Sequence, residues 1–209
     1  MYNKPIIVFE GIEASGKSTH VKHVANYLNK KNLKFVKIRE PGGNYNSEKI
    51  RKLILNKNSD FNKITDLYLY LASRSENIDK VIKKNYNKKI ILIDRFIDST
   101  VAYQHYAMGL NKKIIDINNK FILDKLKINF TFLNIVTKKN LLIRLKKRSK
   151  LNRYDKFQTE FYKKAQNGFI KISKKNKNDY FIINSNLELS NNKKIVINKV
   201  KKLLNIKWI

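Results

Sequence analysis

The chain has 209 residues, enough to close one sizeable hydrophobic core and short for two, so a single domain over 1–209 is expected. Apolar residues make up 42% of it with no run approaching the roughly 20 needed to cross a bilayer, and cysteine is absent, which excludes a spanning helix, disulfides and thiolate metal sites. The formal charge of +30 comes from Lys scattered through every segment among Asn and Ile, the trio that A/T-rich codons supply; it forms no localised stripe, so no specific nucleic-acid partner is expected.

The first apolar run, residues 6–9, begins almost at Met1 and leaves no room for a leader, so a cytoplasmic, membrane-free protein is expected. It reads as a strand, and the string G-I-E-A-S-G-K-S follows it directly over residues 11–18. Gly11, Ile12, Glu13, Ala14, Ser15 and Gly16 then form a loop whose backbone N–H groups can turn inward onto phosphate oxygens, at the positive end of the helix that follows. Lys17 supplies a mobile charge for the β- and γ-phosphates, Ser18 a hydroxyl for Mg²⁺, and Thr19 extends the cradle. Val21, Val24, Ala25 and Leu28 recur at i, i+3, i+4 and i+7, the buried stripe of that helix.

A second strand is expected at 35–38 and ends in Arg39-Glu40-Pro41-Gly42-Gly43; Arg51 lies beyond it. Leu67, Leu71, Ile78, Val81 and Ile82 stripe a long helix that carries Tyr70 and Arg74 at i and i+4. A third strand at 90–93 ends in Asp94, placed to stand beside the Mg²⁺ of such a cradle. Arg95-Phe96-Ile97-Asp98-Ser99-Thr100 then leads to Ala102-Tyr103-Gln104. Further strands are expected at 130–133 and 181–183, with a last helix striped by Val196, Val200, Leu203 and Leu204. Short β-branched runs alternating with helical stretches predict an α/β fold: a three-layer P-loop NTPase fold, with a parallel five-stranded sheet, helices on both faces and a helical lid. The basic stretch at about 144–164 is the candidate lid.

The strings R-E-P-G-G and D-R-x-x-x-S-[ST]-x-A-Y-Q, in this order with the cradle and L-A-S-R, closely resemble those of bacterial thymidylate kinases within the P-loop nucleoside monophosphate kinases. The resemblance runs from about residue 6 to 172. It implies transfer of the γ-phosphoryl group of MgATP to dTMP, a step of dTTP biosynthesis, in a homodimer. It also implies that Arg95 and Arg51 hold the acceptor phosphate, and that Tyr70 stacks on the base, with Phe the usual residue there. Arg74 would donate to a base carbonyl, Gln104 would read the base edge with Ser99 and Thr100 nearby, Glu13 would accept the sugar 3′-hydroxyl, and Tyr103 would crowd out a 2′-hydroxyl. Glu40 resembles a further site carboxylate.

Some members of the family carry an arginine in the cradle where this chain has Ala14. The missing charge is therefore expected from the lid, where Arg144, Arg148 and Arg153 are spaced like those of the lid-arginine subtype, Arg148 and Arg153 closing over ATP and Arg153 reaching the transferring group. Asn134 and Asn44 depart from the family's usual acidic residue and Thr, and are expected to loosen the anchoring of the lid. His20, His23 and His105 lack metal-ligand spacing. The rival readings are a kinase for another nucleoside monophosphate or a deoxynucleoside, and a nucleic-acid-binding P-loop module.

Overall fold

The computed structural model describes residues 3–147 and 153–205. Five strands, β1 (Ile6–Gly11), β2 (Phe35–Arg39), β3 (Ile90–Asp94), β4 (Phe130–Ile135) and β5 (Tyr180–Asn184), form one sheet in the order β2-β3-β1-β4-β5, every neighbour parallel. All five expected strands are present. Parallel pairing needs a crossover between consecutive strands, and the helices supply it. They are α1 (Lys17–Lys30), α2 (Tyr45–Leu55), α3 (Lys63–Asn77), α4 (Ile97–Thr100), α5 (Lys112–Leu123), α6 (Lys138–Lys146), α7 (Thr159–Lys175) and α8 (Leu189–Leu203). Two of them widen into π-helical turns, α3 at Ile78–Ile82 and α4 at Val101–Ala107.

Strand side chains alternate between faces, which sorts the apolar residues into two cores. Ile7, Phe9, Leu92 and Phe132 face the stripe Val21, Val24 and Leu28 of α1 and Val196 and Val200 of α8. Phe9 and Phe132 stack there with ring centres 5.1 Å apart. On the other face Ile6, Val8, Ile91 and Ile93 meet Ile78, Ile82 and Phe96. A third cluster lies towards the lid, where Leu133 and Tyr103 pack with Tyr154, Tyr162, Ala165 and Phe169. No helix among the described residues is long and apolar enough to cross a membrane.

The two departures from the expected pattern each hydrogen-bond a neighbouring segment. Asn44 caps α2, accepting from the Ser47 amide at 3.1 Å, and its own amide reaches Asn77 Oδ1 on α3 at 2.9 Å. Asn134 is buried and donates to Ser185 Oγ at 3.0 Å, joining the end of β4 to the segment after β5. The lid stretch begins in the last turn of α6, includes a 3-10 turn at Arg153–Lys156 and enters α7. Arg148 lies outside the described residues.

Helix α7 approaches the π-helical turn of α4 through Gly168. A Cβ built there would lie 2.6 Å from Tyr106 Cδ2 and 2.8 Å from Tyr106 Cβ, too close for the ring to yield without moving the helix. Gly168→Ala is therefore expected to destabilise the fold by about 1–3 kcal/mol, the usual cost of overpacking. Urea unfolding of the variant against the parent chain would measure it, and an unchanged midpoint would contradict this packing.

Candidate active site

The cradle grows out of the end of β1. Gly11 has φ 138°, and a side chain there would run into the Asn134 carbonyl of β4, so glycine alone fits the turn. Ala14 at φ 53° and Gly16 at φ 92° continue the curl, and α1 starts at Lys17 with no acidic residue in its first turn, leaving its positive end open to an anion. Lys17 is buried and its ammonium donates to the Ile12 carbonyl at 3.1 Å. Burial, and then the charge of Arg95, push it down to about 8. Arg144, from α6, spans the loop and the segment after β5, donating to the Ala14 carbonyl at 3.1 Å and the Ser185 carbonyl at 2.6 Å.

Ser18 donates to Asp94 Oδ2 at 2.5 Å, across the parallel pairing of β1 and β3. These two hard oxygen donors suit Mg²⁺, which keeps most of its waters and takes one or two protein ligands beside substrate phosphates. Among the described residues no group of three or more His, Cys, Asp or Glu could hold a metal alone. The three histidines make ring and hydrogen-bond contacts within the fold. His20 and His23 pack edge to face, and burial followed by the neighbouring ring pushes His20 down to about 4; the His105 ring meets the Leu110 carbonyl at 2.7 Å.

One cavity of about 680 Å³ holds the cradle and continues past Arg95 to Tyr70 and Gln104. At its centre Arg95 adopts φ 69°, an uncommon conformation for any residue but glycine, held by the hydrogen bond from its backbone N–H to the Phe9 carbonyl at 3.0 Å. Its guanidinium donates to the Gly11 carbonyl at 2.9 Å and to Glu13 Oε1 at 2.8 Å. The other Glu13 oxygen accepts from the Tyr103 hydroxyl. Burial would raise the Glu13 carboxyl, but Arg95, Lys17 and Tyr103 outweigh it and hold it below its usual value. Arg95 is raised despite its burial, chiefly by Glu13. Arg51 and Arg39 also line this region; Arg51 donates to the Pro41 carbonyl at 2.5 Å, and burial, then the like charge of Arg39, lower its affinity for a proton. Three arginines thus converge on one space, and a dianionic group placed there relieves their repulsion.

Ser99, Thr100, Tyr103, Gln104 and Tyr70 also line this cavity. Ser99 is turned partly away, its hydroxyl donating to Glu10 Oε2 at 2.6 Å. Thr100 Oγ1 is buried and has no hydrogen-bond partner among the described residues. The π-helical widening of α4 brings Tyr103 and Gln104 to the wall, a distortion often found at functional sites.

Three expected residues turn their charges elsewhere. Arg74 does not line the cavity. It is 1% exposed, and its guanidinium is committed to Glu40 at 2.8 Å, Asn119 at 2.8 Å and the Phe96 carbonyl at 2.9 Å. A buried guanidinium needs a carboxylate, and Glu40 supplies it. Glu40 lines the cavity but turns its oxygens to Arg74 and Asn77, and burial raises its carboxyl even against Arg74. Arg153 pairs with Asp66 of α3 instead of facing the cradle, and lies over the rings of Phe61 and Tyr154.

Sequence reasoning missed several residues. Arg39 sits inside the R-E-P-G-G string and could have been found there. Leu187, Leu189 and Asn192 line the cavity beyond the cradle, and no motif marks them. Asp66 and Glu10 look from sequence like a helix first-turn acid and a strand-end residue, yet both are buried and gather hydrogen bonds; Glu10 accepts from the Phe96 and Ser99 amides at 2.8 and 3.2 Å.

The sequence profile of the thymidylate kinase family matches residues 9–196. The chain is 37% identical over 197 residues to the thymidylate kinase of Sulfurihydrogenibium sp., spanning 93% of this chain and 96% of that one. It is 37% identical over 184 residues to that of Clostridium novyi, spanning 86% and 90%. The crystal structure of thymidylate kinase from Ehrlichia chaffeensis superposes with a TM-score of 0.78 at 32% identity, covering 94% of this chain and 98% of that one. With the profile spanning most of the sheet and its crossovers, and the relatives matched over nearly their whole length, the chain belongs to the thymidylate kinase family.

Proposed function

We propose that the chain transfers the γ-phosphoryl group of ATP to the 5′-phosphate of dTMP, giving dTDP and ADP, and serves dTTP synthesis in the cytoplasm. One observation carries the reading: a single cavity joins the phosphate cradle to an apolar and amide-lined end, with Arg95 between them. Two nucleotides placed tail to tail there would bring an acceptor oxygen in line with the γ-phosphorus.

The chemistry asks for alignment and neutralisation more than for covalent help. The cradle amides and Lys17 hold the donor's phosphates, and Arg95, Arg51 and Arg39 hold the acceptor's. An oxygen of the dTMP phosphate then attacks the γ-phosphorus as the bond to the β,γ-bridging oxygen breaks, and ADP leaves. Mg²⁺, held by Ser18 and Asp94, would draw charge from the β- and γ-oxygens. Arg144, Arg148 and Arg153 supply lid charge that Ala14 does not, and Arg153 must leave Asp66 to reach the phosphates. Glu13 and Tyr103 face the sugar, Tyr70 offers a ring to the base, and Thr100 and Gln104 offer polar groups to its edge. Arg74 and Glu40 brace this wall from behind, and Ser99 ties it to β1.

A homodimer is also proposed, through the apolar stripe that Leu53 of α2, Ile64 and Tyr68 of α3, and Ile117 and Phe121 of α5 leave exposed; Phe121 is 84% exposed.

A coupled assay of ADP release with dTMP, dUMP, dCMP, dGMP and thymidine tests the reaction. The highest kcat/KM is expected for dTMP, and preference for the free nucleoside would overturn the reading. Lys17, set at about 8, is charged below that pH and neutral above it. A bound polyphosphate favours the charged form, so above this value MgATP binding takes up a proton and weakens as pH rises. Calorimetry just above that pH, in buffers of different ionisation enthalpy, should show the uptake; its absence would remove Lys17 from the phosphate site. Phe121→Glu should convert dimer to monomer in sedimentation velocity, and an unchanged mass would rule out this face.

A further inference from the structure

A carboxylate that phosphoryl transfer leaves unused stands behind the base end of the cavity. Asp66, in the first turn of α3, is 1% exposed. It accepts from the Tyr154 hydroxyl at 2.8 Å, from the Arg153 guanidinium and from Gln104 Nε2 at 3.2 Å. Gln104 itself is 1% exposed and lines the cavity.

An amide side chain presents a donor on one side and an acceptor on the other, and the two differ little in shape. Which one faces a ligand is decided by what holds the other. A carboxylate only accepts, so it takes the amide through nitrogen; turning Gln104 over would set its Oε1 against the Asp66 oxygens, with no proton between them. The Tyr154 hydroxyl donates to the same Asp66 oxygen that takes Gln104 and stays with it when Arg153 leaves, and Tyr154 is itself fixed by packing on the rings of Tyr70 and Tyr103 at 6.2 and 6.1 Å.

We infer that Asp66 is the positioning residue for base choice: by holding the Gln104 nitrogen it keeps the amide in one orientation, with Oε1 as the acceptor for a ring N–H. Thymine and uracil carry N3–H beside the 4-carbonyl, so they match an amide offering an acceptor next to a donor. Cytosine carries the reverse pair, an unprotonated N3 beside the 4-amino group, and would need the amide turned over. The acidic partner forbids that turn, so Asp66 rejects cytosine without touching it. The inference rests on the reading of the chain as a dTMP kinase.

Asp66→Asn keeps the size and lets residue 66 donate as well as accept, so Gln104 becomes free to present either face. The ratio of kcat/KM for dTMP over dCMP is expected to fall by about tenfold or more, the scale of one misplaced hydrogen-bonding partner in a closed site. A purely structural Asp66 would slow both nucleotides alike, and a preserved ratio overturns the inference. Gln104→Leu provides a second readout should Asp66→Asn fail to fold: it removes the amide while leaving Asp66, and must lower the same ratio. If it does not, the Gln104 oxygen is not the discriminating group. An unmodified chain that phosphorylates no nucleoside monophosphate would defeat the kinase reading itself; one that phosphorylates dTMP while Asp66→Asn keeps its discrimination defeats only the role given to Asp66.

Discussion

The parallel pairing of β1 with β3 is the constraint on which the site depends. Its register sets Phe9 opposite Asp94, so the two chains leave the sheet side by side. One runs into the cradle and the other into Asp94 and Arg95. Hydrogen bonding then closes the seam, from the Arg95 amide to the Phe9 carbonyl and from Ser18 to Asp94. A slip of one residue would send Asp94 and Arg95 to the opposite faces of the sheet, since side chains alternate along a strand. Such a slip would also part buried Glu10 of β1 from the Phe96 and Ser99 amides and undo the close packing on both faces, and in this sense the core holds the chemistry in place.

Charge inside the cavity is arranged as a near balance that an anion would complete. Arg95 is partnered by Glu13, whereas Arg51 donates to a carbonyl, and burial and the charge of Arg39 outweigh the attraction of Glu48. Lys17 is buried close to Arg95 and so holds its proton weakly. In a region sheltered from water such interactions are stronger than at the surface, and they are fixed before any substrate enters. The +30 of the whole chain is a different matter, being spread over the solvated surface where salt screens it.

Within and behind the cavity wall lies a layer of buried polar groups: Arg74 with Glu40 and Asn119, Glu10 with the turn at Phe96 and Ser99, and Asp66 with Gln104 and Tyr154. Each links segments far apart in sequence. Buried pairs of this kind add little to stability over an apolar replacement, but removing one partner is costly, so they hold the wall in one arrangement. Asp98 belongs to the same layer: burial, then Glu10, raise it to about 7, while Tyr180 of β5 donates to it at 2.5 Å.

Much of the molecule was legible from the chain alone. The five strands, the stripes of α1, α3 and α8, and the cradle at 11–18 follow from periodicity and from glycines at fixed spacing, because these are local properties of the backbone. The acceptor end was legible only through strings such as R-E-P-G-G and A-Y-Q, which name residue types without saying which way they point. Tertiary structure alone decided the rest. Arg74 shares a helix face with Tyr70, yet burial forced its charge onto Glu40 and away from the cavity. Asp66 looks like an ordinary first-turn acid until packing seals it against Gln104 and Arg153, and the π-helical widening that turns Tyr103 and Gln104 inward has no sequence mark. Sequence thus determined the sheet, the cradle and the types of group available, since those depend on near neighbours. The partner each buried charge found depended on distant segments, because in a dry interior a charge goes to whichever opposite charge the fold brings within reach.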